Sequence, residues 1–484
     1  MSLKVLSVAS EAYPFVKTGG LADVTGALPE ALAKHGVKVT TLLPGYPSLR
    51  ARAGALSEAH SFTDLMGVPA RLLMGELEGR SVALLDAPSL FDRQGGPYSD
   101  AKGKDWADNA LRFAALGKAA AELARGAVPN LAFDLVHAHD WQAAMALAYL
   151  KYSDDGARAP PSVMTVHNIA FQGRFGADIF PKLGLPARAF ALDGVEYYGG
   201  VGFLKAGLQA ADAITTVSPT YAREITRAEF GMGLEGLIAA RSGVVSGIVN
   251  GIAWDDWSPS QDLHLAKTYD AQKLAGRDAN RAALESLFGL EPAPGPLFIV
   301  ISRLTWQKGM DVLVACLDAL VAMGGRLALL GSGDAALEDG FKSAAVRHAG
   351  RIGVRIGYDE ALSHLMQGGG DAIVIPSRFE PCGLTQLYGL RYGCVPLVAR
   401  TGGLADTIID ANTAALAAGV ATGFQFDGMS DERLIHALER VSVAFGDRKA
   451  WRGLQRQGMK ADFSWDRSAK AYADLYQNLI RGRA

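Results

Sequence analysis

The chain has 484 residues, which is enough for two or three domains with sizeable hydrophobic cores. Hydrophobic residues make up 49% of it and the mean hydropathy is +0.11, which indicates a compact globular protein and excludes a disordered one. The 48 basic and 50 acidic residues give a formal net charge of −2, which argues against a nucleic-acid or membrane-surface binder, since both carry a basic excess.

The cysteines and the amino terminus favour a cytoplasmic protein. Three cysteines are few and odd in number, as expected in a reducing compartment. Residues 1–9 contain a short apolar run that resembles a weak signal-peptide core, but Glu11 follows at once, and a buried first strand is the better interpretation. No stretch of the sequence approaches the roughly 18 uncharged apolar residues of a membrane span. We therefore expect a soluble, cytoplasmic protein with no membrane partner.

Apolar segments of strand length alternate with segments of helical periodicity along most of the chain. In the first half of the chain, strands are predicted at residues 4–9, 37–43, 71–75, 81–86, 134–138, 162–166 and 213–217. Helices are predicted at residues 21–32 and 106–125, after residue 141 and from residue 218. Such alternation predicts mostly parallel sheets that are covered on both faces by helices.

A polar, turn-rich stretch interrupts this alternation at residues 247–259, and we interpret it as the link between two domains. Residues 253–295 are polar and rich in alanine, so helical structure is expected there, at the edge of a second domain. A second series of strands is then predicted at residues 297–302, 326–330, 354–357, 371–375 and 395–399. The fold class is therefore α/β, with two facing Rossmann-like doubly wound domains. Because ligands of such sheets bind beyond the carboxyl ends of the strands, the active site is expected in the interdomain cleft.

One stretch, Pro-Ser-Arg-Phe-Glu-Pro-Cys-Gly-Leu-Thr-Gln-Leu-Tyr at residues 376–388, joins a predicted strand to a predicted helix. Its loop carries the carboxylate of Glu380, and Gly383 opens the helix. A helix start offers unpaired backbone N–H groups and a positive dipole end, which suit a phosphate. An acid beside an anion site fits chemistry on a group that is cut from a phosphate.

Two cations, Arg303 and Lys308, follow the strand predicted at residues 297–302. They suit a diphosphate, because they can bind it and compensate the charge that builds on a leaving group. The alternative is a solvated loop with two ordinary surface charges. Because Lys17 and Gly383 also follow predicted strands, we favour the functional interpretation.

Polar side chains also follow two strands of the first domain. Asp140 and Trp141 come after the strand at residues 134–138 and offer a carboxylate and an aromatic face to sugar hydroxyls. His167 and Asn168 form a similar polar pair after the next strand, where a purely structural histidine is the alternative.

Three other motifs give weaker signals. His137 and His139 form a His-x-His pair, but a metal site is not expected without a second cluster of Cys or His. The sequence Gly-Ser-Gly-Asp at residues 331–334 lacks the full dinucleotide-binding fingerprint. Cys382 lies at a predicted helix start, where a thiol could be a nucleophile, but no base for it is identifiable.

The sequence Thr-Gly-Gly-Leu-Ala-Asp occurs twice, at residues 18–23 and 401–406, each time after an apolar strand. Six identical residues in a row rarely arise by chance. Paired glycines let the backbone approach a ligand or another chain segment closely. The repeat either reflects shared turn geometry in two similar domains or marks two turns that face the cleft.

Five motifs resemble those of bacterial glycogen synthases and plant starch synthases, at residues 17–21, 137–141, 167–168, 302–309 and 377–388. The last two are long and highly specific, and the resemblance extends from the first strand to about Trp465. The family implies a GT-B type fold, here with Rossmann-like domains at 1–250 and 251–460 and a final helix within 461–484 that crosses back to the first. It also implies glycogen elongation: glucose passes from ADP-glucose to the non-reducing 4-hydroxyl of an α-1,4-glucan, with retained configuration and without metal or pyridoxal phosphate.

The resemblance also implies roles for matching residues. Lys17 and the backbone of Gly19 and Gly20 are implied to meet the diphosphate or glucose of the donor. Arg303 and Lys308 are implied to bind the phosphates and to stabilise the ADP leaving group.

Further roles concern the helix start and the sugar site. The N–H groups of Leu384 and Thr385 are implied to assist at the phosphates, with Cys382 and Gly383 in the same substrate-binding turn, and Tyr358 to pack near adenine. The acceptor and glucose site is implied to contain Asp140, Trp141, His167 and Asn168, with Glu380 against the donor sugar.

Many retaining transferases have a second glutamate eight positions after the first, whereas position 388 is tyrosine here, as in the bacterial and plant synthases. Glu380 is therefore expected to act without a second acid, and the two-carboxylate scheme of glycosidases does not transfer to it. Two alternatives stay open. A glucan phosphorylase shares the architecture but needs pyridoxal phosphate on a lysine. A non-catalytic glucan-binding protein would keep aromatic residues but would not need Arg303, Lys308 and Glu380 together.

Overall fold

A computed structural model describes residues 2–153 and 159–482 of the chain. The chain divides into two units, the first comprising Met1–Gly251 with Trp465–Ala484 and the second Ile252–Ser464. Each unit has its own sheet with helices, mostly parallel in the first unit and wholly parallel in the second, so the α/β prediction for both halves of the chain is confirmed.

The first unit contains a nine-stranded sheet and a small three-stranded sheet. Its strands are β1 (Leu3–Val8), β2 (Val37–Pro44), β3 (Ser57–Leu65), β4 (Val68–Leu77), β5 (Arg80–Asp86), β6 (Leu135–His139), β7 (Ser162–Val166), β8 (Arg174–Phe175), β9 (Glu196–Tyr197), β10 (Gly200–Gly202), β11 (Ala213–Thr216) and β12 (Val245–Gly247). The large sheet has the order β12-β11-β7-β6-β1-β2-β5-β4-β3, and β8, β10 and β9 form the small one. The large sheet is parallel from β12 to β5 and antiparallel across β5, β4 and β3.

Helices connect these strands in the first unit. They are α1 (Gly20–Ala33), α2 (Pro47–Arg50), α3 (Pro88–Phe91), α4 (Asn109–Ala124), α5 (Asp140–Tyr152), α6 (Phe203–Ala210), α7 (Pro219–Glu224), α8 (Ala228–Gly231) and α9 (Glu235–Ala240). Strands β6, β7 and β11 are buried along their whole length, as expected for parallel strands with helices on both faces. The strand order reverses between β1 and β6, and the carboxyl ends of strands at such a switch point leave room for a ligand.

The second unit has one six-stranded sheet, parallel throughout. Its strands are β13 (Leu297–Ile301), β14 (Arg326–Gly331), β15 (Ile352–Ile356), β16 (Ala372–Ile375), β17 (Val395–Ala399) and β18 (Phe424–Phe426). The order is β15-β14-β13-β16-β17-β18, so the switch point lies between β13 and β16. The loops that carry Lys308 and Glu380 leave these two adjacent strands at the same edge of the sheet.

Ten helices of the second unit follow in chain order. They are α10 (Gly276–Phe288), α11 (Met310–Ala315), α12 (Leu317–Ala322), α13 (Ala335–Arg347), α14 (Glu360–Gly369), α15 (Thr385–Tyr392), α16 (Gly402–Thr407), α17 (Thr413–Ala418), α18 (Asp431–Gly446) and α19 (Arg448–Lys460). The core on one side of the sheet joins apolar side chains of β13, β14 and β17 to those of α11 and α18.

The final helix, α20 (Trp465–Arg481), belongs to the first unit and packs against α1. Trp465 and Tyr476 are buried in one core with Val24 and Leu28 of α1. The start of this helix packs tightly against Gly251, because a Cβ atom on Gly251 would lie 2.6 Å from the Cα atom of Trp465. Only glycine fits at that crossing.

Several local predictions were incomplete. Within residues 253–295, which were expected to be helical, the α-helix is confined to Gly276–Phe288, and turns make up most of the rest. After β13 the chain forms two short helices, α11 and α12, which meet at Cys316. Strands β3, β8, β9, β10, β12 and β18 were missed, because each is either largely exposed and polar or only two to three residues long.

Candidate active site

The loops after β13 and β16 bring a lysine and a glutamate into contact in the second unit. The Nζ atom of Lys308 lies 2.5 Å from Oε2 of Glu380, and Oγ of Ser377 donates to the same oxygen at 2.9 Å. The two charged side chains are only 17% and 9% exposed, so water screens the pair weakly. Because an ammonium group carries three N–H donors, Lys308 can hold Glu380 and still donate to a phosphate oxygen.

A second ion pair fixes these two loops to each other. Arg378 donates to both carboxylate oxygens of Asp311 at 2.7 Å and lies 4.4 Å from the ring centroid of Trp306. Gly309 lets the loops approach closely, because a Cβ atom there would lie 1.8 Å from the carbonyl oxygen of Pro376. Lys308, one residue earlier, is thereby held beside the loop that carries its partner.

The second copy of the Thr-Gly-Gly sequence packs against the same loop. A Cβ atom on Gly402 would lie 2.0 Å from the carbonyl oxygen of Glu380, and one on Gly403 would lie 2.2 Å from that of Cys382. Gly402 also has a φ of +44°, which disfavours any residue with a side chain. The N–H of Gly403 donates to the carbonyl of Glu380 at 3.1 Å. These glycines therefore help to position the glutamate.

The start of α15 contributes backbone donors to the same region. Gly383 has a φ of +70° and turns the chain into the helix, for which Leu384 is the N-cap residue and Thr385 the first residue. The side chain of Gln386 donates to the carbonyl oxygens of Cys382 and Gly383 at 2.9 and 3.0 Å and so stiffens the turn. The first N–H groups of a helix have no acceptor within it, so this end suits an anion.

Arg303 and Tyr358 are both exposed residues of the second unit, and they follow different strands of its sheet. Arg303 occupies the same loop as Lys308, after β13. Tyr358 is 75% exposed, follows β15 and donates its hydroxyl to Glu360 at 2.5 Å. Because β15 is separated from β13 by β14, Tyr358 lies two strands away from the switch point.

In the first unit, Asp140 and His167 meet at the carboxyl ends of β6 and β7. The backbone N–H of His167 donates to Oδ1 of Asp140 at 2.7 Å. Burial raises the pKa of Asp140 to about 7, and the backbone N–H groups of His167 and Asn168 partly oppose that rise. Asp140 also has a φ of +54°, a strained conformation of the kind that clusters at functional sites. The side chain of Asn168 accepts the N–H of Ala170 at 3.0 Å.

Three neutral histidines lie next to this carboxyl, of which His137 and His139 are buried and His167 is half-buried. Nδ1 of His139 lies 3.1 Å from Nε2 of His167, and the rings of His137 and His139 are 4.0 Å apart. Burial lowers the pKa of His137 and His167 to about 3 and that of His139 well below its usual value. His137 bonds to the hydroxyls of Tyr476 and Thr165 at 2.7 and 2.6 Å, so its role here is structural.

The loop between β1 and α1 carries Lys17 and the first pair of glycines. Lys17 forms an ion pair with Asp23 at 2.8 Å. A Cβ atom on Gly19 or Gly20 would find no atom within 4 Å, so packing does not require glycine at either position. Their backbone is open to a ligand.

Sequence reasoning missed the residue that organises this loop. Glu11 is buried, and its carboxylate accepts three hydrogen bonds. Two come from Thr18, through its hydroxyl at 2.6 Å and through its backbone N–H, and the third comes from the hydroxyl of Tyr98. The hydroxyl of Tyr98 also lies 2.8 Å from that of Ser10. An acidic residue directly after a buried strand was the one available signal for Glu11, while nothing local pointed to Tyr98.

Trp141 does not offer the open aromatic face that the sequence suggested. It is 9% exposed and packs among aromatic rings, with centroids 5.0 Å from Phe113 and 5.8 Å from Phe175. A Cβ atom on Gly173 would lie 2.3 Å from its indole ring. Burial of the ring in this cluster, which sequence spacing does not reveal, leaves little of it open to a sugar. Its substrate-binding role stays a prediction.

Three general features bear on the chemistry of the chain. Within residues 2–153 and 159–482, no group of three or more His, Cys, Asp or Glu side chains is placed to hold a metal ion. In that same described part, no helix is both long enough and apolar enough to cross a membrane. All three cysteines are buried, and burial raises the pKa of Cys316 and Cys394 to about 12, which opposes thiolate chemistry at both.

Comparison with known families gives the class of protein. Residues 4–240 match the family described as "Starch synthase catalytic domain", and residues 288–444 match the family described as "Glycosyl transferases group 1". Together with the two parallel α/β sheets, these matches define a glycosyltransferase of the GT-B fold.

Similarity to individual proteins identifies the family within this class. A glycogen synthase of Novosphingobium aromaticivorans is 63% identical over 481 residues, which cover 99% of each chain. A glycogen synthase of Mesorhizobium japonicum is 60% identical over 481 residues, or 99% of this chain and all of that one. The catalytic domain of starch synthase IV from Arabidopsis thaliana, solved with bound ADP and acarbose, is 31% identical with a TM-score of 0.88, covering 99% of this chain and 100% of that one. The chain belongs to the glycogen synthase and starch synthase family.

Proposed function

We propose that the protein elongates α-1,4-glucans by transferring glucose from ADP-glucose to the 4-hydroxyl at the non-reducing end, with retention of configuration at C1. The family assignment supports glucan synthesis, and the ADP and acarbose of the Arabidopsis relative support a nucleotide donor and a glucan acceptor. The observation that carries the proposal is the shielded contact between Lys308 and Glu380, at the switch point of the second sheet.

The reaction requires that a diphosphate leave a sugar carbon. The bond between C1 and the phosphate oxygen breaks, and ADP takes the electron pair. The acceptor O4 forms the new bond to C1 on the same face, and its proton passes to the departing phosphate. Arg303, Lys308 and the N–H groups of Leu384 and Thr385 stabilise the negative charge on ADP, and this term dominates the catalysis.

Glu380 acts in this scheme through its charge. Its Oε2 atom is held by Lys308 and Ser377, so the carboxylate positions the lysine and stabilises the positive charge that develops on the glucosyl group. The residue eight positions later, Tyr388, stacks on Trp257 with ring centroids 3.6 Å apart, which gives it a packing role. A double displacement with two carboxylates is therefore not part of the proposal.

The cluster in the first unit suits uncharged sugar groups. The pKa of His167 is lowered by burial, so its ring is neutral at physiological pH and can exchange hydrogen bonds with hydroxyls. Asp140 and Asn168 add acceptors and donors beside it. We assign these residues to the glucose and acceptor hydroxyls, with Trp141 packed behind them, and Lys17 with the open backbone of Gly19–Gly20 to the donor.

We further propose that catalysis needs neither a metal ion nor pyridoxal phosphate, and that the protein works in the cytoplasm. Arg303 and Lys308 supply the positive charge that a metal would otherwise bring to a diphosphate. Full activity in excess EDTA supports the first part, whereas a loss that Mg²⁺ restores would contradict it. Absorbance of the purified protein in the near ultraviolet and visible range, as expected for pyridoxal phosphate bound to a lysine, would instead favour a phosphorylase.

Label transfer tests the proposal directly. ADP-glucose and UDP-glucose, each labelled in the glucose, are incubated with the protein and glycogen. We expect label in the polymer from ADP-glucose and scarcely any from UDP-glucose, with digestion by an α-1,4-specific amylase releasing it. Label from UDP-glucose alone overturns the donor assignment, and no transfer from either by a folded protein favours a glucan-binding protein.

A further inference from the structure

His139 is a buried residue to which the proposed catalytic scheme gives no role. It is the last residue of β6, directly before Asp140, and it is only 1% exposed. Its Nδ1 atom lies 3.1 Å from Nε2 of His167, which follows the neighbouring strand β7. This contact joins His139 to a side chain that is proposed to bind sugar hydroxyls.

The ring of His139 is itself held in place from the other side. The ring of His137 lies against it, with the two centroids 4.0 Å apart. His137 is fixed at both of its nitrogens, since Nδ1 bonds to the hydroxyl of Tyr476 at 2.7 Å and Nε2 to that of Thr165 at 2.6 Å. Because Tyr476 belongs to α20, a continuous series of contacts leads from the C-terminal helix to His167.

The hydrogen bond between His139 and His167 can run in either direction. A neutral imidazole has one N–H group and one nitrogen that accepts, so Nδ1 of His139 donates only when its Nε2 carries no proton. Among the residues that the structure describes, none forms a hydrogen bond with that Nε2, and the ring lines a small cavity. A buried N–H without an acceptor is rarer in proteins than a buried acceptor without a donor. This favours an unprotonated Nε2 and a donating Nδ1–H on His139.

The direction of this bond sets the chemistry of His167. When Nε2 of His167 accepts, its single ring proton lies on Nδ1. His167 is half-buried, and in the described part of the chain its Nδ1 takes part in no hydrogen bond. That N–H can therefore donate to the oxygen of a sugar hydroxyl. The opposite direction would leave a lone pair on Nδ1, which can only accept.

We propose that His139 is a positioning residue for glucosyl transfer, which holds His167 in the orientation and tautomer that donate a hydrogen bond through Nδ1–H. This proposal rests on the proposed function, because it starts from the sugar contact assigned there to His167. His139 acts only through His167, since its own ring is buried. The C-terminal helix takes part through Tyr476, which fixes His137 behind it.

The tautomer of His167 is measurable in the wild-type protein. Nitrogen–proton correlation NMR at neutral pH, on protein whose histidine rings carry an NMR-active nitrogen isotope, distinguishes the two ring nitrogens. We expect a proton on Nδ1 of His167 and none on Nε2, with the signal assigned by its absence from His167→Gln. A proton on Nε2 instead overturns the proposal. The measurement needs no turnover, so a protein that transfers no glucose would refute the proposed function while this result still stands.

Kinetics of two variants separate positioning from packing. His139→Leu keeps a side chain of similar size but removes the donor, and we expect kcat to fall about tenfold, the effect of one lost hydrogen bond. The KM for ADP-glucose should stay within about twofold of the wild type, because the proposed phosphate contacts lie in the second unit. His139→Asn can place an amide N–H where Nδ1–H lay, so it should restore most of the lost kcat.

Thr215→Val is the matched control for loss of a buried polar group in the same sheet. The hydroxyl of Thr215 lies 2.5 Å from that of Thr165 and is not bonded to a histidine. Its removal should lower the melting temperature without lowering kcat. Wild-type kcat in a folded His139→Leu protein, or an equal fall in Thr215→Val, overturns the proposal. If His139→Leu does not fold, the tautomer of His167 in the wild-type protein decides alone.

Discussion

The sequence Thr-Gly-Gly-Leu-Ala-Asp starts a helix in both units, but the surroundings of its glycines differ. In the second unit, Cβ atoms on Gly402 and Gly403 would collide with the backbone of the loop that carries Glu380. In the first unit, Cβ atoms on Gly19 and Gly20 would meet no atom within 4 Å. Packing thus explains the second pair of glycines but not the first, for which we propose that substrate approaches the backbone.

The two units also differ in the charge of their candidate site residues. The second unit holds a shielded ion pair, Lys308 with Glu380, beside a helix start. The first unit holds histidines kept neutral by burial and the carboxyl of Asp140, whose pKa burial raises. Fixed charge suits a diphosphate, whereas neutral donors and acceptors suit hydroxyl groups. The predictions below test this division of roles.

The largest effect is expected from Lys308→Ala in the charged cluster. Loss of a preorganised donor to the leaving group should lower kcat about 100- to 1,000-fold. Steady-state kinetics with ADP-glucose and glycogen measure it, and circular dichroism shows whether the fold persists. Lys342→Ala, at a half-exposed lysine of α13 in the same unit, should leave kcat unchanged. Wild-type turnover in a folded Lys308→Ala protein would remove the leaving-group role.

Gly402→Ala tests whether packing fixes the second pair of glycines. The added methyl group meets a carbonyl oxygen, and the φ of +44° disfavours alanine, so we expect the free energy of unfolding to fall by about 3 kcal/mol. Urea denaturation measures this loss. Gly419→Ala is the matched control, because Gly419 has a φ of +69° but a methyl group there would meet no atom within 4 Å. Equal losses in both variants would mean that backbone strain alone, without collision, accounts for the effect.

A smaller effect concerns the pH dependence of stability in the neutral cluster. The pKa of Asp140 is about 7 in the folded protein, above its ordinary value of 3.8, so the folded state binds the proton more tightly. Asp140 therefore lowers stability as the pH rises from about 4 to 7, by at most about 1.4 kcal/mol per pH unit. Asp140→Asn should remove this slope. Parallel stability curves for both proteins over this range would show that burial of the carboxyl is not costly.

Sequence reasoning found the contacts that depend on topology. Lys308 and Glu380 lie 72 positions apart, yet both follow parallel strands, whose carboxyl ends meet at one edge of the sheet. Asp140 and His167 meet for the same reason. Residues joined by packing could not be foreseen in this way. Nothing local to Tyr476 indicates that it bonds to His137, 339 positions earlier.

The burial of individual side chains could not be predicted from the sequence either. Trp141 follows a strand end as a sugar-binding aromatic residue would, but three phenylalanines distant in sequence enclose it in the core. The polar, alanine-rich composition of residues 253–295 favoured helix, whereas much of that segment consists of turns held by side-chain hydrogen bonds such as those of Asp262 and Asp270.

The measurement that tests this account most directly is made on Gly20→Ala, by urea denaturation and by the KM for ADP-glucose in the same preparation. Because a methyl group at Gly20 meets nothing, we predict an unfolding free energy within about 1 kcal/mol of the wild type. Because substrate is proposed to approach that backbone, we predict a KM raised about tenfold, equivalent to about 1.4 kcal/mol. An unchanged KM together with a loss of stability like that of Gly402→Ala would contradict the account, since both glycine pairs would then serve packing alone.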